Sequence, residues 1–270
     1  RRGGEHPCYR AAINTFLLAD AEVVPHPVDE EGIVLNERPC DYYYVTPGHQ
    51  VPTGVTMSSA RRRQLLEHAA RHDAVIIEDD YDSESNFTLN PLPALKASDR
   101  SGRVVYASSL SKALSPGLRL GFMVADPDLI DEARALRRLV YRHPPTNIQY
   151  QMAHFLAQGH YETHLRRYHY DSAQRWERLH AALQRYLPSC RALAGSEHAN
   201  AFWLQTPAQI NTQQLTWRAA HAGVLIEPGA RHFLNAAPPD NYFRMGFHAI
   251  NPDAIAQGVE VLRGQLEQMG

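Results

Sequence analysis

The chain has 270 residues, 27 Lys and Arg against 29 Asp and Glu, and a formal net charge of −2. That size accommodates one large α/β domain with a smaller companion, and the interspersed charges leave no basic face for nucleic acid or an anionic membrane. Apolar runs such as AVII and LGFMV are far too short to span a bilayer, no secretory leader is evident, and three scattered cysteines (Cys8, Cys40, Cys190) point to a reducing cytoplasm.

The opening, RRGGEHPCYR, lacks an initiating Met and reads as the interior of a longer polypeptide. CYRAAINTFLLAD spaces its apolar residues for a helix with Ile13, Phe16 and Leu17 on one side, and AEVVPHPV follows as a short strand. YYYVTP predicts a second strand. SSARRRQLLEHAARH predicts a serine-capped helix that carries Leu65, Leu66 and Ala69 inward. DAVIIEDD, SGRVVYASS and RLGFMVA are apolar runs of the kind buried on both faces. This βαβ rhythm over residues 1–146 implies a mostly parallel sheet covered by helices, with ligands bound beyond the carboxyl ends of its strands.

After PDLIDEARALRRLVYRHPP the texture changes. Residues 147–187 read as almost continuous helix broken at Gly159, a length suited to linking two bodies. Over 188–270, AFWLQT, GVLIEPGA and YFRMGFH predict strands, and TQQLTWRAAHAG and NPDAIAQGVEVLRGQLEQM predict helices, which makes a small α+β domain. Fifteen histidines invite a metal hypothesis. Only His164 and His169 approach ligand spacing, no carboxylate or cysteine completes a tetrahedral set, and HExxH is absent, so both are expected to be solvated helix residues.

Three motifs fall where the loops after strands gather: TPGHQVPTG (46–54), EDDYDSE (78–84) and SSLSKALSPGLRLG (108–121). Singly, each has a plain reading as turn chemistry, a solvated acidic loop and an incidental lysine. Together, in this order, they resemble the large domain of the fold-type I pyridoxal-phosphate enzymes, the class I/II aminotransferase superfamily. The resemblance implies pyridoxal 5'-phosphate as cofactor. It makes Lys112 the amine for its aldehyde, Asp79 the anion beside its ring nitrogen, and Tyr81 the partner of its phenolic oxygen. Ser109, Ser111 and Arg119 would supply hydroxyls and a guanidinium fork to the phosphate. Tyr9 matches the aromatic ring laid over the cofactor, and Arg244 matches the arginine that clamps a substrate carboxylate. A surface arginine on an edge strand is the other reading of Arg244.

Typical aminotransferases carry Asn-Pro-Thr-Gly, where this chain has Val51 ahead of Pro-Thr-Gly. TPGHQVPTGVTMS, and IIEDDYDSE with PLPALKASDR, are more similar to the MocR-type regulators, bacterial GntR-family transcription factors that fuse a winged helix-turn-helix to an aminotransferase-like domain. The resemblance runs through residues 5–270, is specific over 42–124, and thins to GVLIEPGA and the FRMGF segment. It implies an effector-sensing domain for an amine or amino acid that forms an aldimine, with weak or no turnover, in a homodimer. DNA would be bound through a winged helix-turn-helix absent from this chain. The first part of the large domain, with its Gly-rich phosphate turn, would be missing as well. Two other readings share part of the pattern: an active aminotransferase moving an amino group between an amino acid and a 2-oxo acid, and a remnant that binds no cofactor.

Overall fold

The apolar runs of the first half lie edge to edge in one sheet. A computed structural model describes residues 1–36, 38–85, 91–193 and 200–269. In chain order the elements are β1 (Arg2–His6), α1 (Arg10–Leu18), β2 (Val23–Asp29), β3 (Gly32–Ile33), β4 (Tyr42–Val45), α2 (Ser59–Arg71), β5 (Val75–Asp80), α3 (Leu95–Ser98), β6 (Val104–Ser109) and β7 (Gly121–Val124). Among the described residues the strand order is β3-β2-β1-β4-β5-β6-β7. The five inner strands run parallel, and β3 and β7 run antiparallel at the two ends. The expected mostly parallel sheet is therefore present. Its core joins Tyr43, Val45, Ile76 and Val104 to Leu65 and Ala69 of α2, and α2 starts where the Ser58 hydroxyl accepts from the Arg61 N–H at 3.1 Å.

The second half continues with α4 (Pro127–Tyr141), α5 (Thr146–Ala157), α6 (His160–Tyr186), β8 (Arg191–Ala192), β9 (Ala201–Gln205), α7 (Thr212–His221), β10 (Glu227–Pro228), β11 (Tyr242–Gly246) and α8 (Ile255–Glu267). Gly159, at φ 70°, separates α5 from α6 where the sequence predicts the break. Among the described residues the C-terminal strands form an antiparallel sheet in the order β10-β11-β9-β8. Phe202, Leu204, Phe243 and Met245 alternate onto its inner face, against Leu215, Val259 and Leu262 and against Leu179 and Leu183 from the second half of α6. The same alternation sends Trp203 and Arg244, which are register partners, to the opposite face. Gly229 sits under that face, where a Cβ would come within 2.7 Å of Trp203 and 2.5 Å of Tyr242.

Several expectations are corrected. The segment RLGFMVA is not buried on both faces: all four β7 residues are exposed, because among the described residues β7 ends the sheet and pairs only with β6. The neighbouring α4 buries none of its residues, with Leu139 84% exposed. Of the apolar side of α1, Ile13 and Phe16 pack inward and Leu17 is exposed. Of GVLIEPGA, only Glu227 and Pro228 enter a strand. His164 and His169 are half-buried rather than solvated. Their Nε2 atoms lie 2.6 Å from the Ala113 carbonyl and 2.8 Å from the Glu84 carbonyl, which ties α6 to the large sheet.

Candidate functional site

The parallel strands β5 and β6 end side by side, with Asp79 opposite Ala107 and Asp80 opposite Ser108. Asp79 therefore lies at the carboxyl end of the sheet, and Lys112 lies in the loop directly after β6, the position where parallel sheets bind ligands. That loop is closed at its base by a 3.0 Å bond from the Leu110 N–H to the Leu120 carbonyl. Ser111 and Ala113 are buried while Lys112 between them is exposed, so the turn pins its flanks and leaves the amine free to project. Ser109 Oγ accepts from the Ser111 N–H at 3.2 Å. Arg119 holds a left-handed backbone, φ 48°, at the far end of the same loop.

Lys112, Tyr81 and Asp82 line one wall of a cavity of about 930 Å³, and Arg244, Glu227 and His248 of the small domain line another. The Lys112 ammonium stands 5.4 Å from the centre of the Tyr81 ring. The Tyr81 hydroxyl donates to the His49 carbonyl at 3.2 Å, and burial together with Asp82 raises its pKa, so the phenol stays protonated. Asp79 accepts a hydrogen bond from the Tyr44 hydroxyl. Its carboxyl is pushed up chiefly by burial, against the opposing pull of the Tyr44 bond and of the Lys112 charge. The structure thus gathers Lys112, Tyr81 and Arg244 around one space, with Asp79 close enough to feel the amine. Ser109, Ser111 and Arg119 surround the lysine in its loop without lining the cavity, and Tyr9, 46% exposed, stands at the start of α1.

Sequence reasoning missed the residues that join the two halves. The Asp82 carboxylate is buried and accepts from His49 Nδ1 at 3.0 Å and from the Asn200 amide. Asn200 Oδ1 takes a bond from His248 Nε2 at 2.9 Å, and His248 Nδ1 accepts from the Tyr168 and Ser172 hydroxyls at 3.1 and 3.2 Å. Burial holds the His248 imidazole down to about 4, with Arg175, Lys112 and Arg244 adding to the effect, so the ring is neutral and each nitrogen has a matching partner. This chain of bonds crosses from the large sheet through the small one to α6. The clue was thin: His49 sits inside the TPGHQVPTG motif, but its partner's partner lies more than a hundred residues on.

Glu5, near the end of β1, is a further buried carboxyl close to Asp79. Its Oε2 accepts from the Thr46 N–H at 3.1 Å and the Thr46 hydroxyl at 2.7 Å, while Oε1 has no hydrogen-bond partner among the described residues. Burial pushes its carboxyl up to about 7 from 4.5, against the Thr46 bonds. A raised carboxyl keeps a proton that the unfolded chain releases near 4.5, so stability falls as pH rises from about 4.5 to 7 and levels off above, by an amount of order 3 kcal/mol. Glu5→Gln keeps the acceptor for Thr46 and cannot ionise. Its melting temperature is expected to gain on the wild type as pH rises from 5 to 8, and parallel melting curves across that range would remove Glu5 as the titrating group.

The family described as aminotransferase class I and II matches residues 45–262. The HTH-type transcriptional regulator TauR of Rhodobacter capsulatus is 38% identical over 263 residues, which is 96% of this chain and 54% of TauR. The "Probable rhizopine catabolism regulatory protein MocR" of Rhizobium meliloti is 35% identical, over 96% of this chain and 53% of that protein. Among solved structures, LysN, the α-aminoadipate aminotransferase of Thermus thermophilus complexed with N-(5'-phosphopyridoxyl)-L-leucine, superposes with a TM-score of 0.91 at 28% identity, covering 99% of this chain and 71% of that one. The chain spans about half the length of the curated regulators it matches. Among the described residues no cluster of His, Cys, Asp or Glu could hold a metal, and no helix is long and apolar enough to cross a membrane.

Proposed function

The chain belongs to the aminotransferase class I and II family, and on that premise we propose that it is the effector-sensing domain of a MocR-type transcriptional regulator, built around pyridoxal 5'-phosphate and answering to an amine or amino acid. The observation that carries the reading is the meeting of Lys112, Tyr81 and Arg244 on one cavity, with Asp79 beside them. The donor set fits the cofactor: an accessible amine for its aldehyde, a carboxyl for its ring nitrogen, and a phenol that stays protonated for its phenolic oxygen. When bound, the cofactor supplies an aldehyde that condenses with amines and a ring that withdraws electrons.

The chain's own contribution is placement. The Leu110–Leu120 closure fixes the turn that carries Lys112, Tyr44 orients the Asp79 carboxyl, and the His49–Asp82–Asn200 bonds hold the residue that follows Tyr81. Ser109, Ser111 and Arg119 are the proposed phosphate donors and Tyr9 the ring that covers the cofactor. Arg244 offers a guanidinium to an effector's carboxylate. DNA contact, on this reading, belongs to a winged helix-turn-helix outside these residues, and the protein works as a cytoplasmic homodimer.

An aminotransferase is the second reading, favoured by the superposition on LysN. Rapid mixing of cofactor-loaded protein with a panel of amino acids separates the two. Sensing is expected to give a lasting spectral change with no 2-oxo acid released over minutes, and stoichiometric release of 2-oxo acid in a single turnover would establish catalysis instead.

A further inference from the structure

Arg244 does not face the cavity alone. The antiparallel pairing of β10 with β11 sets Glu227 directly across from Arg244, and opposed residues of one pair send their side chains to the same face. Glu227 Oε2 lies 3.3 Å from Arg244 Nη1, while Glu227 Oε1 lies 3.3 Å from Arg231 Nη1 and 3.4 Å from His232 Nε2. Both Glu227 and Arg244 line the cavity that Lys112 enters. The carboxylate is also braced from behind: His232 Nδ1 meets the Cys8 carbonyl at 3.0 Å, and the Cys8 N–H donates to the His232 carbonyl at 2.8 Å. The Glu227 carboxyl is kept low, at about 2, chiefly by His232, with Arg244 and Arg231 helping against burial, so it is ionised at any working pH.

We propose that Glu227 is a specificity-determining residue, which offsets the Arg244 charge and occupies one edge of its guanidinium, so that the pocket discriminates only weakly between amines with and without a carboxylate. This rests on reading the cavity as an amine-binding site. A ligand carboxylate that docks on Arg244 comes within a few ångströms of a second, permanently ionised carboxylate, and like charges at that range oppose each other strongly in a partly buried site. A ligand without a carboxylate meets no such opposition. The pairing also keeps the guanidinium from swinging out of the cavity, which a glutamine at 227 can still do through its amide oxygen.

The test compares L-leucine with 3-methylbutylamine, which share a carbon skeleton and differ by one carboxylate. The chain loaded with pyridoxal phosphate is titrated with each probe, and apparent Kd is read from the change in visible absorbance. Glu227→Gln is expected to raise the preference for leucine over the amine at least threefold, with the amine's own Kd nearly unmoved. A smaller rise, or weaker leucine binding than in the wild type, overturns the proposal. Arg231→Ala, at a side chain 62% exposed, removes one competitor for Glu227 and should lower the same preference about twofold; an unchanged or increased preference overturns the proposal even if the glutamine variant does not fold. A wild type that answers neither probe overturns the amine-binding reading and this inference with it. A wild type that answers both, with unaltered preference in the variants, overturns the role of Glu227 alone.

Discussion

Replacing Lys112 with alanine is expected to abolish covalent capture of pyridoxal phosphate. The chain contains two lysines, Lys96 and Lys112, which makes the result unusually clean. The Lys96 ammonium is committed, 2.7 Å from the Val104 carbonyl and 3.3 Å from Asp99. The Lys112 amine has the exposed end of its turn and the cavity in front of it. Wild-type protein mixed with the cofactor and reduced with borohydride should yield one labelled peptide, the one containing Lys112. The alanine variant should yield none above background, a loss of at least about 100-fold in retained label, while melting as the wild type does because the side chain supports nothing in the core. Equal labelling of the two proteins, or a label on Lys96, would remove the lysine at 112 from its assigned role and the cofactor with it.

The second large effect concerns stability. Phe243 is 0% exposed at the centre of the small-domain core, between the β9 residues Phe202 and Leu204 and the helix residues Val259 and Leu262. Phe243→Ala removes a whole ring from a site packed between one sheet and the helices over it, a change that costs about 3–5 kcal/mol. For a protein of this size that corresponds to a fall in Tm of roughly 6–20 °C, measurable by circular dichroism. Because Arg244 is the next residue on the same strand, the variant should also bind an amino acid less tightly before it loses the ability to label Lys112. A fall of less than about 2 °C would mean that the small domain is held by something other than this cluster.

The legibility of the fold varied with the origin of each signal. The inner strands β4, β5 and β6 showed themselves because each is an unbroken apolar run, and the motif that follows each run carried the site. β1 escaped notice because RGGEH has neither alternation nor bulk. Its glycines are explained only by the neighbours: a Cβ on Gly3 would lie 2.7 Å from the Tyr43 ring, so the adjoining strand fills the space that a side chain would need. β7 misled in the opposite sense, since a run of apolar residues says that a strand can be covered and not that it is. Lys112, Asp79 and Tyr81 were readable as candidates because each lies at or just beyond the carboxyl end of an apolar strand run. Asn200, His248 and Glu227 were not, since each acts through a partner brought to it by folding: Asp82 lies 118 positions from Asn200, and Glu227 matters only because β10 pairs with β11 in a register that faces it to Arg244.

The terminal position of β7 has a consequence for handling. Its outer side presents a row of backbone amides and carbonyls beside Phe122, Met123 and Val124, all exposed, and Leu136, Leu139 and Val140 of α4 are exposed as well. Such a rim is a template on which another chain's strand can be laid. Dilution and shelf time thus become experimental variables: solutions of this polypeptide should be treated as colloids whose particle size drifts, and titrations compared only between samples of matched protein concentration and age.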